Sequence, residues 1–326
     1  MSTSSASRQA PRRRRLARPV AVAALAAVAA AHIGPGADLT APPGARAATS
    51  RARTARSTTV PVAASVPTLQ ITPRPPVSGW TTVARVRGRP AAWVARRAGV
   101  TLMRFDQHLV HVSLHAGSID GGAVGWTYGD RITAREVPLL IAAVNGGFKL
   151  TYTNVGFMSG GRVAVPLKAG LASIVTYADG TTNIGAWEAG VPGPRGTVFS
   201  VLQNQQLLVD RGVAAATVAD CVLECWGGTV GLLTLVARSG LGVTANGQIV
   251  WAAGEHLSPS SLAAALIGAG AVRAIELDIN PAWVAGYLYV PRAGGPSPVP
   301  LVAGQRGIAG RFLKPYTRDF LAFVAN

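Results

Sequence analysis

Two acidic residues have the type and spacing that acid–base chemistry requires. Glu276 and Asp278 are separated by one residue within the apolar segment Ala271–Ile279. In a strand, such residues point to the same face, with their carboxyl groups ~6–7 Å apart. Glycoside hydrolysis uses carboxyl pairs at comparable separations. The two residues are therefore the candidate catalytic pair. The alternative is that one of them pairs with Arg238 or Arg273, since a buried acid needs a partner.

Two turns next to apolar segments are candidate binding positions. Asn280-Pro281 must end the strand that carries the acids, because proline has no backbone N–H, and the chain opens there into a loop. Asn145-Gly146-Gly147 follows the apolar segment Val137–Val144. Glycine lets a backbone approach a ligand closely, although such a sequence is also an ordinary turn.

Short strands and glycine-containing turns must position these residues. Three hairpins are predicted from Gly160-Gly161, Asp179-Gly180 and Asn246-Gly247, which supply the backbone angles of tight turns. Two further strands, Thr101–Asp106 and Leu109–Leu114, flank Gln107-His108. The pattern predicts an α+β fold with a mixed, largely antiparallel sheet, rather than a doubly wound one.

One covering helix is predicted before the acidic strand. Ser258 is a suitable N-cap, Pro259 suits the first helical position, and Leu262 and Leu266 share one face. Gly268 and Gly270 follow and end the helix.

Several of these segments resemble the phosphodiester glycosidase family, which includes enzymes that remove N-acetylglucosamine from a phosphodiester. Ala142–Phe148 is similar to the family's INGGFF motif, and Arg238–Val243 to a later strand motif. Ser258–Leu277 resembles the family's helix and strand, and Asp278 matches the acid of its LDGGGS motif. The similar segments span about residues 100–300 in collinear order.

The resemblance implies roles for particular residues. Asp278 would orient or protonate the scissile linkage, with Glu276 as a second carboxylate, and Arg238 would hold the phosphate through its planar fork. Asn145 and the amides of Gly146 and Gly147 would position the sugar or the phosphate.

Two departures from the family pattern affect the expected chemistry. Ile279–Trp283 replaces the three glycines and serine that follow the acid, and Lys149 replaces the second Phe of NGGFF. Trp283 offers an aromatic ring for stacking on a sugar, and Lys149 offers a cation for an anion. The proline of the altered loop removes a backbone donor, so the ligand has changed or catalysis has been lost.

The amino-terminal region has the features of an export signal. Arg12–Arg15 and Arg18 precede the apolar stretch Pro19–Ala31, which is shorter than the ~20 residues of a membrane span. We expect residues 1–33 to be an export signal or an uncleaved anchor. Residues 34–79 are expected to form a disordered Pro/Ala/Arg-rich spacer, either simply solvated or attracting anionic polymers or lipid. Residues 80–326 would form the domain.

The charge distribution argues against nucleic acid as a partner. The net charge of the chain is +17, but residues 1–97 contribute +15 and residues 98–326 only +2. The domain therefore lacks the basic footprint that binding of a phosphate backbone requires.

The cysteines also indicate an oxidising compartment. Cys221 and Cys225 are the only two, and they lack the second pair of ligands that a structural zinc site needs, so we expect a disulfide. His111 and His115 would lie too far apart along one strand to bind one metal ion. We expect them and the nearby His108 to be ordinary surface or core histidines. No nucleotide-binding or zinc-protease motif is present, and the sequence identifies no cofactor.

The resemblance to phosphodiester glycosidases, taken with the features of an export signal, implies an exported hydrolase that cleaves a sugar-1-phosphodiester in or near the cell wall. Two alternatives stay open. One is a catalytically inactive module that binds a wall glycan or a teichoic-type polymer, which the altered loop after Asp278 favours. The other is a structural surface domain that binds no glycan.

Overall fold

A computed structural model describes residues 66–121, 125–153, 155–194, 196–229, 231–306 and 310–326. The expected export signal and the spacer as far as residue 65 lie outside the described residues. The last part of the expected spacer contains Leu69–Ile71, which pairs with Thr81–Val86, so the folded region begins before Trp80. No helix in the described residues is long and apolar enough to span a membrane.

Strands dominate the described structure. They are β1 Leu69–Ile71, β2 Thr81–Val86, β3 Arg89–Arg97, β4 Val100–Phe105, β5 Val110–His115, β6 Leu140–Asn145, β7 Phe157–Ser159, β8 Arg162–Val165, β9 Ala172–Tyr177, β10 Thr182–Ala186, β11 Val198–Gln203, β12 Leu207–Asp210, β13 Val213–Ala214, β14 Val236–Thr244, β15 Ile249–Leu257, β16 Ala271–Glu276, β17 Gly286–Val290, β18 Ser297–Pro300 and β19 Phe320–Ala325. The helices are α1 Leu150–Thr153, α2 Thr217–Asp220, α3 Val222–Cys225 and α4 Pro259–Gly268, with 3₁₀ turns at Val137–Leu139 and Arg311–Leu313.

The strands form three sheets. The first has the order β1-β2-β3-β4-β15-β14-β16-β12-β13, the second β10-β9-β11-β7-β8, and the third β18-β17-β6-β19-β5. Every pairing between named strands in the described residues is antiparallel. The predicted α+β class with a largely antiparallel sheet is confirmed, with more strand and less helix than a balanced α+β fold.

The three predicted hairpins are confirmed as β7–β8, β9–β10 and β14–β15. The strands on either side of Gln107-His108 also form, but they do not pair with each other. β4 pairs with β3 and β15, whereas β5 pairs with β19 in another sheet. The turn between them, closed by Val110 N–H donating to the Asp106 carbonyl at 2.9 Å, therefore carries the chain from one sheet to the next.

Helix α4 covers the first sheet as predicted. The Ser258 side chain accepts from the Ser261 N–H at 3.1 Å, and the Ser261 hydroxyl accepts from the Ser258 N–H, which completes a capping box. Leu262 and Leu266 are buried against the sheet. Arg97 donates to the Gly268 carbonyl at 2.8 Å at the other end, where a cation favours the helix dipole.

The main core lies between the inner faces of the sheets. It includes Trp251 of the first sheet, Phe157 of the second and Phe323 of the third, all fully buried. Phe105 and Phe323 stack across two sheets with ring centroids 3.8 Å apart. This packing brings the end of β6, the start of β19 and the segment after β16 to one place.

Candidate active site

A cavity of about 510 Å³ opens where these three segments meet. Its lining combines charged, polar and apolar side chains. The lining residues are Ile119, Phe148, Lys149, Thr153, Gln205, Gly227, Gly228, Asp278, Ile279, Asn280, Trp283, Thr317 and Arg318.

Asp278 lies at the floor of the cavity, two residues after β16. Its backbone carbonyl accepts from the Ser239 N–H of β14 at 3.0 Å, which fixes the residue to the first sheet. Its Oδ1 accepts from the Asn280 N–H at 2.8 Å and its Oδ2 from Nη2 of Arg318 at 3.1 Å. Burial raises the pKa of Asp278 above its ordinary value, although Arg318 opposes that shift. A carboxyl group whose pKa is raised in this way holds its proton more firmly than an ordinary aspartate does.

Arg318, two residues before the start of β19, forms an ion pair with Asp278. Its Nε donates to Oδ2 of Asp120, and its Nη2 donates to the Gly147 carbonyl at 3.0 Å as well as to Asp278. No hydrogen bond joins Nη1 to any described residue, and the side chain lines the cavity at 8% exposure. The fixed guanidinium therefore has one N–H₂ group that can donate further hydrogen bonds.

Two further acids lie behind Arg318. Asp319 is fully buried, and burial raises its pKa to about 7, with the nearby Arg318 opposing and the charges of Asp120 and Asp278 adding to the rise. Its Oδ2 accepts from the Gly147 N–H at 2.8 Å. Burial also raises the pKa of Asp120. One oxygen of each, Oδ1, has no hydrogen-bond partner among the described atoms, so the two carboxyls surround Arg318 without being fully satisfied.

The structure separates Glu276 and Arg238 from the cavity. Nη1 of Arg238 donates to Oε1 of Glu276 at 2.7 Å, and both side chains are at most 3% exposed. Other nitrogens of Arg238 donate to the carbonyls of Leu257 and Thr234. The expected phosphate ligand therefore forms a buried structural ion pair with the expected second carboxylate. Pairing with Arg238 is one of the alternatives to a catalytic role that the sequence had left open for Glu276.

The polar groups of the Asn145-Gly146-Gly147 turn also form hydrogen bonds within the protein. Nδ2 of Asn145 donates to Oγ of Ser239 at 2.9 Å, and its Oδ1 accepts from the Ala285 N–H at 3.2 Å. The amides of Gly146 and Gly147 donate to the carbonyl and the carboxylate of Asp319. These residues join two sheets and hold Asp319 in place, and the amides of Gly146 and Gly147 donate within the protein.

Two of the expected binding residues do line the cavity. Trp283 is half-buried, with the guanidinium carbon of Arg318 5.3 Å from its ring centroid. Lys149 is also half-buried at the cavity wall and contributes a favourable charge to the carboxyl of Asp120. Asp278, Lys149 and Trp283 are thus the predicted site residues that the fold brings together.

The predicted disulfide is confirmed. Cys221 and Cys225 are bonded at the start and end of the turn that contains α3. Such bonds are typical of proteins that mature in an oxidising compartment. The described residues contain no group of three or more His, Cys, Asp or Glu side chains arranged to hold a metal ion.

Comparison with known proteins gives distant structural similarities. No family model and no curated protein matches this chain. Among solved structures, it is similar to the catalytic domain of zebrafish N-acetylglucosamine-1-phosphodiester alpha-N-acetylglucosaminidase, auto-inhibited by its pro-peptide, with 15% identity, 80% of this chain and 83% of that chain covered, and a TM-score of 0.44. It is also similar to a hypothetical protein from Synechocystis, with 12% identity, 80% and 68% coverage, and a TM-score of 0.42.

Sequence reasoning missed Arg318, Asp319 and Asp120. Each is far from Asp278 along the chain, and their contact depends on the pairing of β19 with β6 and β5. One available clue was the adjacent Arg318-Asp319 immediately before the apolar segment Phe320–Ala325. Charged residues at the start of a buried strand need partners at the edge of the core.

Proposed function

We propose that this protein is a hydrolase that cleaves a sugar-1-phosphodiester, releasing the free sugar and a phosphomonoester. The observation that carries the proposal is the pairing of Asp278 and Arg318 at the floor of the cavity. A carboxyl group with a raised pKa and a fixed guanidinium with a spare N–H₂ group are suited to a leaving phosphate.

The geometry supports a division of roles between these two residues. Nη1 of Arg318 donates to a non-bridging oxygen of the phosphate and holds it against the cavity floor. The protonated carboxyl of Asp278 gives its proton to the bridging oxygen as the bond between that oxygen and the anomeric carbon breaks. Water adds to the anomeric carbon, and the proton that it loses restores the carboxyl of Asp278. Trp283 offers a ring face for the sugar.

The proposed location is outside the cytoplasm, in or near the cell wall. The Cys221–Cys225 disulfide supports an oxidising compartment, and the arginine-rich start of the chain followed by an apolar stretch supports export. The proposed substrate is accordingly a phosphodiester-linked glycan or a wall polymer.

A second candidate function is binding of the same class of glycan without hydrolysis. Asp278 is the one carboxylate among the described residues that line the cavity, because Glu276 is turned toward Arg238. A glycosidase that activates water with a second carboxylate would need another acid at this place.

Sugar release by the full-length protein from a panel of sugar-1-phosphodiesters distinguishes the two functions. Asp278→Asn keeps the shape of the side chain, and Asp130→Asn, at a half-exposed ion pair with Arg131, is the matched control. Hydrolysis requires that release fall 100-fold or more in Asp278→Asn and stay unchanged in Asp130→Asn. Binding without release by the wild type and by Asp278→Asn would establish the binding module instead. Parallel reactions with EDTA and with added divalent cations test a metal requirement.

A further inference from the structure

Three leucines in one short loop are exposed to solvent. Leu232, Leu233 and Leu235 are 70%, 58% and 58% exposed, and they lie within residues 231–235, here called the leucine loop. Isolated exposed apolar residues are ordinary on protein surfaces, but contiguous ones mark contact sites. Of the other large exposed apolar residues of the described chain, Ile119 lines the cavity, at 57% exposure.

The leucine loop adjoins the cavity. Gly228 lines the cavity, and a Cβ added at Gly228 would lie 3.8 Å from Cδ2 of Leu232. The loop is followed by Val236 at the start of β14, which packs with the cavity residues Phe148 and Ile279 in one apolar cluster. The exposed leucines therefore lie beside the apolar part of the cavity wall.

The loop has a defined conformation that presents these side chains. The Leu232 N–H donates to the Thr229 carbonyl at 3.0 Å, and Leu232 adopts a φ of 53°, which is unfavourable for a leucine. Nη2 of the buried Arg238 donates to the Thr234 carbonyl at 3.3 Å. The loop is thus anchored to the core beneath it, while its leucines stay outside.

The cavity and the leucine loop together fit an amphiphilic ligand. The charged side chains of Asp278, Arg318 and Lys149 line the cavity together with the apolar Phe148 and Ile279, and the leucine loop lies next to Gly228 of the same lining. We propose that the alcohol esterified to the phosphate carries a long alkyl chain, and that this chain lies along Phe148 and Ile279 onto the leucine loop. This inference rests on the proposed function and names its substrate class as a lipid-linked sugar phosphodiester.

The test compares two esters of one sugar 1-phosphate, one with methanol and one with dodecanol, both below the micellar concentration. The variant is Leu232→Ser/Leu233→Ser/Leu235→Ser in the full-length chain. A matched control changes three exposed valines that do not line the cavity: Val77→Ser, Val163→Ser and Val213→Ser.

We expect the wild type to prefer the dodecyl ester by tenfold or more in kcat/KM, and the leucine variant to lose that preference through a higher KM. The valine control keeps it. Equal rates on both esters, or an unchanged preference in the leucine variant, overturn the inference while leaving the proposed function intact.

If neither ester releases sugar, the proposed function is overturned, and the inference about the leucine loop is tested by binding instead. Calorimetry then measures the affinity of the wild type and the leucine variant for the two esters. Tighter binding of the dodecyl ester by the wild type, lost in the leucine variant, supports the apolar path. Equal binding of both esters refutes it.

Discussion

Nη2 of Arg318 donates to the carboxylate of Asp278 across a distance of 3.1 Å, although the two residues are 40 positions apart in the chain. Asp278 follows β16 of the first sheet, and Arg318 precedes β19 of the third. The contact therefore joins two sheets at the floor of the cavity. The distance between the two side chains therefore depends on the positions of both sheets.

Arg318→Lys should weaken the binding of phosphate groups. Lysine keeps the charge but loses the planar fork, which donates to Asp120, Asp278 and the Gly147 carbonyl and keeps Nη1 for a ligand. We expect inhibition by methyl phosphate to need about tenfold more inhibitor, the equivalent of one charge-assisted hydrogen bond. Inhibition constants for the wild type and Arg131→Lys, a half-exposed arginine on the surface, are the reference. Equal inhibition constants for all three proteins would show that Arg318 does not bind the phosphate group.

Arg238→Met should destabilise the protein because it leaves the Glu276 carboxylate buried without its partner. Breaking a buried ion pair on one side costs roughly 3–5 kcal/mol in the free energy of unfolding. Urea denaturation well above pH 7, where Glu276 is ionised, measures that loss, and the double variant Arg238→Met/Glu276→Gln should recover part of it. A loss of substrate binding in Arg238→Met without any loss of stability would instead restore Arg238 as a ligand residue.

Stability should fall as the pH rises from about 4 to about 7. The pKa of Asp319 is raised from 3.8 to about 7, and that of Glu276 from 4.5 to about 7, in both cases chiefly by burial. The native state therefore retains protons that the unfolded chain releases, and their stabilising contribution, complete below pH 4, is lost as the pH passes through 7. Each group lowers the unfolding free energy by at most ~1.4 kcal/mol per pH unit.

Asp319→Asn tests this pH dependence. The amide oxygen can still accept from the Gly147 N–H, while the titration disappears. Urea denaturation at several pH values between 4 and 7 should show a shallower decline than in the wild type, and Asp130→Asn should leave the decline unchanged. An identical decline of the unfolding free energy in Asp319→Asn and the wild type would contradict the assignment of this pH dependence to Asp319.

Glu136 has the opposite pH dependence. Its pKa is lowered to about 2, with burial opposing and His115 favouring the charged form. Its stabilising contribution is therefore lost as the pH falls below 4.5.

Gly146→Ala should destabilise the site's supporting turn. A Cβ at this position would lie 1.9 Å from Oδ2 and 2.8 Å from the backbone oxygen of Asp319, so the turn or β19 must shift. Overpacking of this kind costs ~1–3 kcal/mol. Gly268→Ala, in α4 with nothing within 4 Å of the added Cβ, should be neutral or slightly stabilising. Thermal unfolding of the two variants measures the contrast, and similar melting temperatures would rule out the close packing at Gly146.

Local patterns predicted the parts of this fold that depend on neighbours in sequence. The hairpin at Asn246-Gly247 and the capping of α4 by Ser258 follow from turn chemistry and side-chain reach, which a few residues determine. Asp278 was predicted as a catalytic residue because it lies where a buried strand must end; it lines the cavity, and its catalytic role stays a prediction.

The roles of Arg238 and Arg318 could not be assigned in this way. Both are single arginines next to apolar segments, and only the order of strands in the sheets decides which of them reaches the cavity. The strands before and after Gln107-His108 show the same limit, because neither their residues nor the turn reveals that β4 and β5 enter different sheets. Sequence spacing determines which face a side chain occupies, but the pairing of distant strands determines what it meets.

The position of β19 between β6 and β5 has a consequence for the order in which this protein folds. Both neighbours are synthesised long before β19, and most of the folded sequence lies between them and it. Until β19 arrives, β5 has no partner strand in this sheet and one edge of β6 is unpaired, and such edges invite association with other chains. Contacts between distant segments also form slowly, because a long loop must close first. The cavity floor is therefore assembled late, and a folding helper or a dilute environment should benefit this chain more than a protein whose sheets form from neighbouring hairpins.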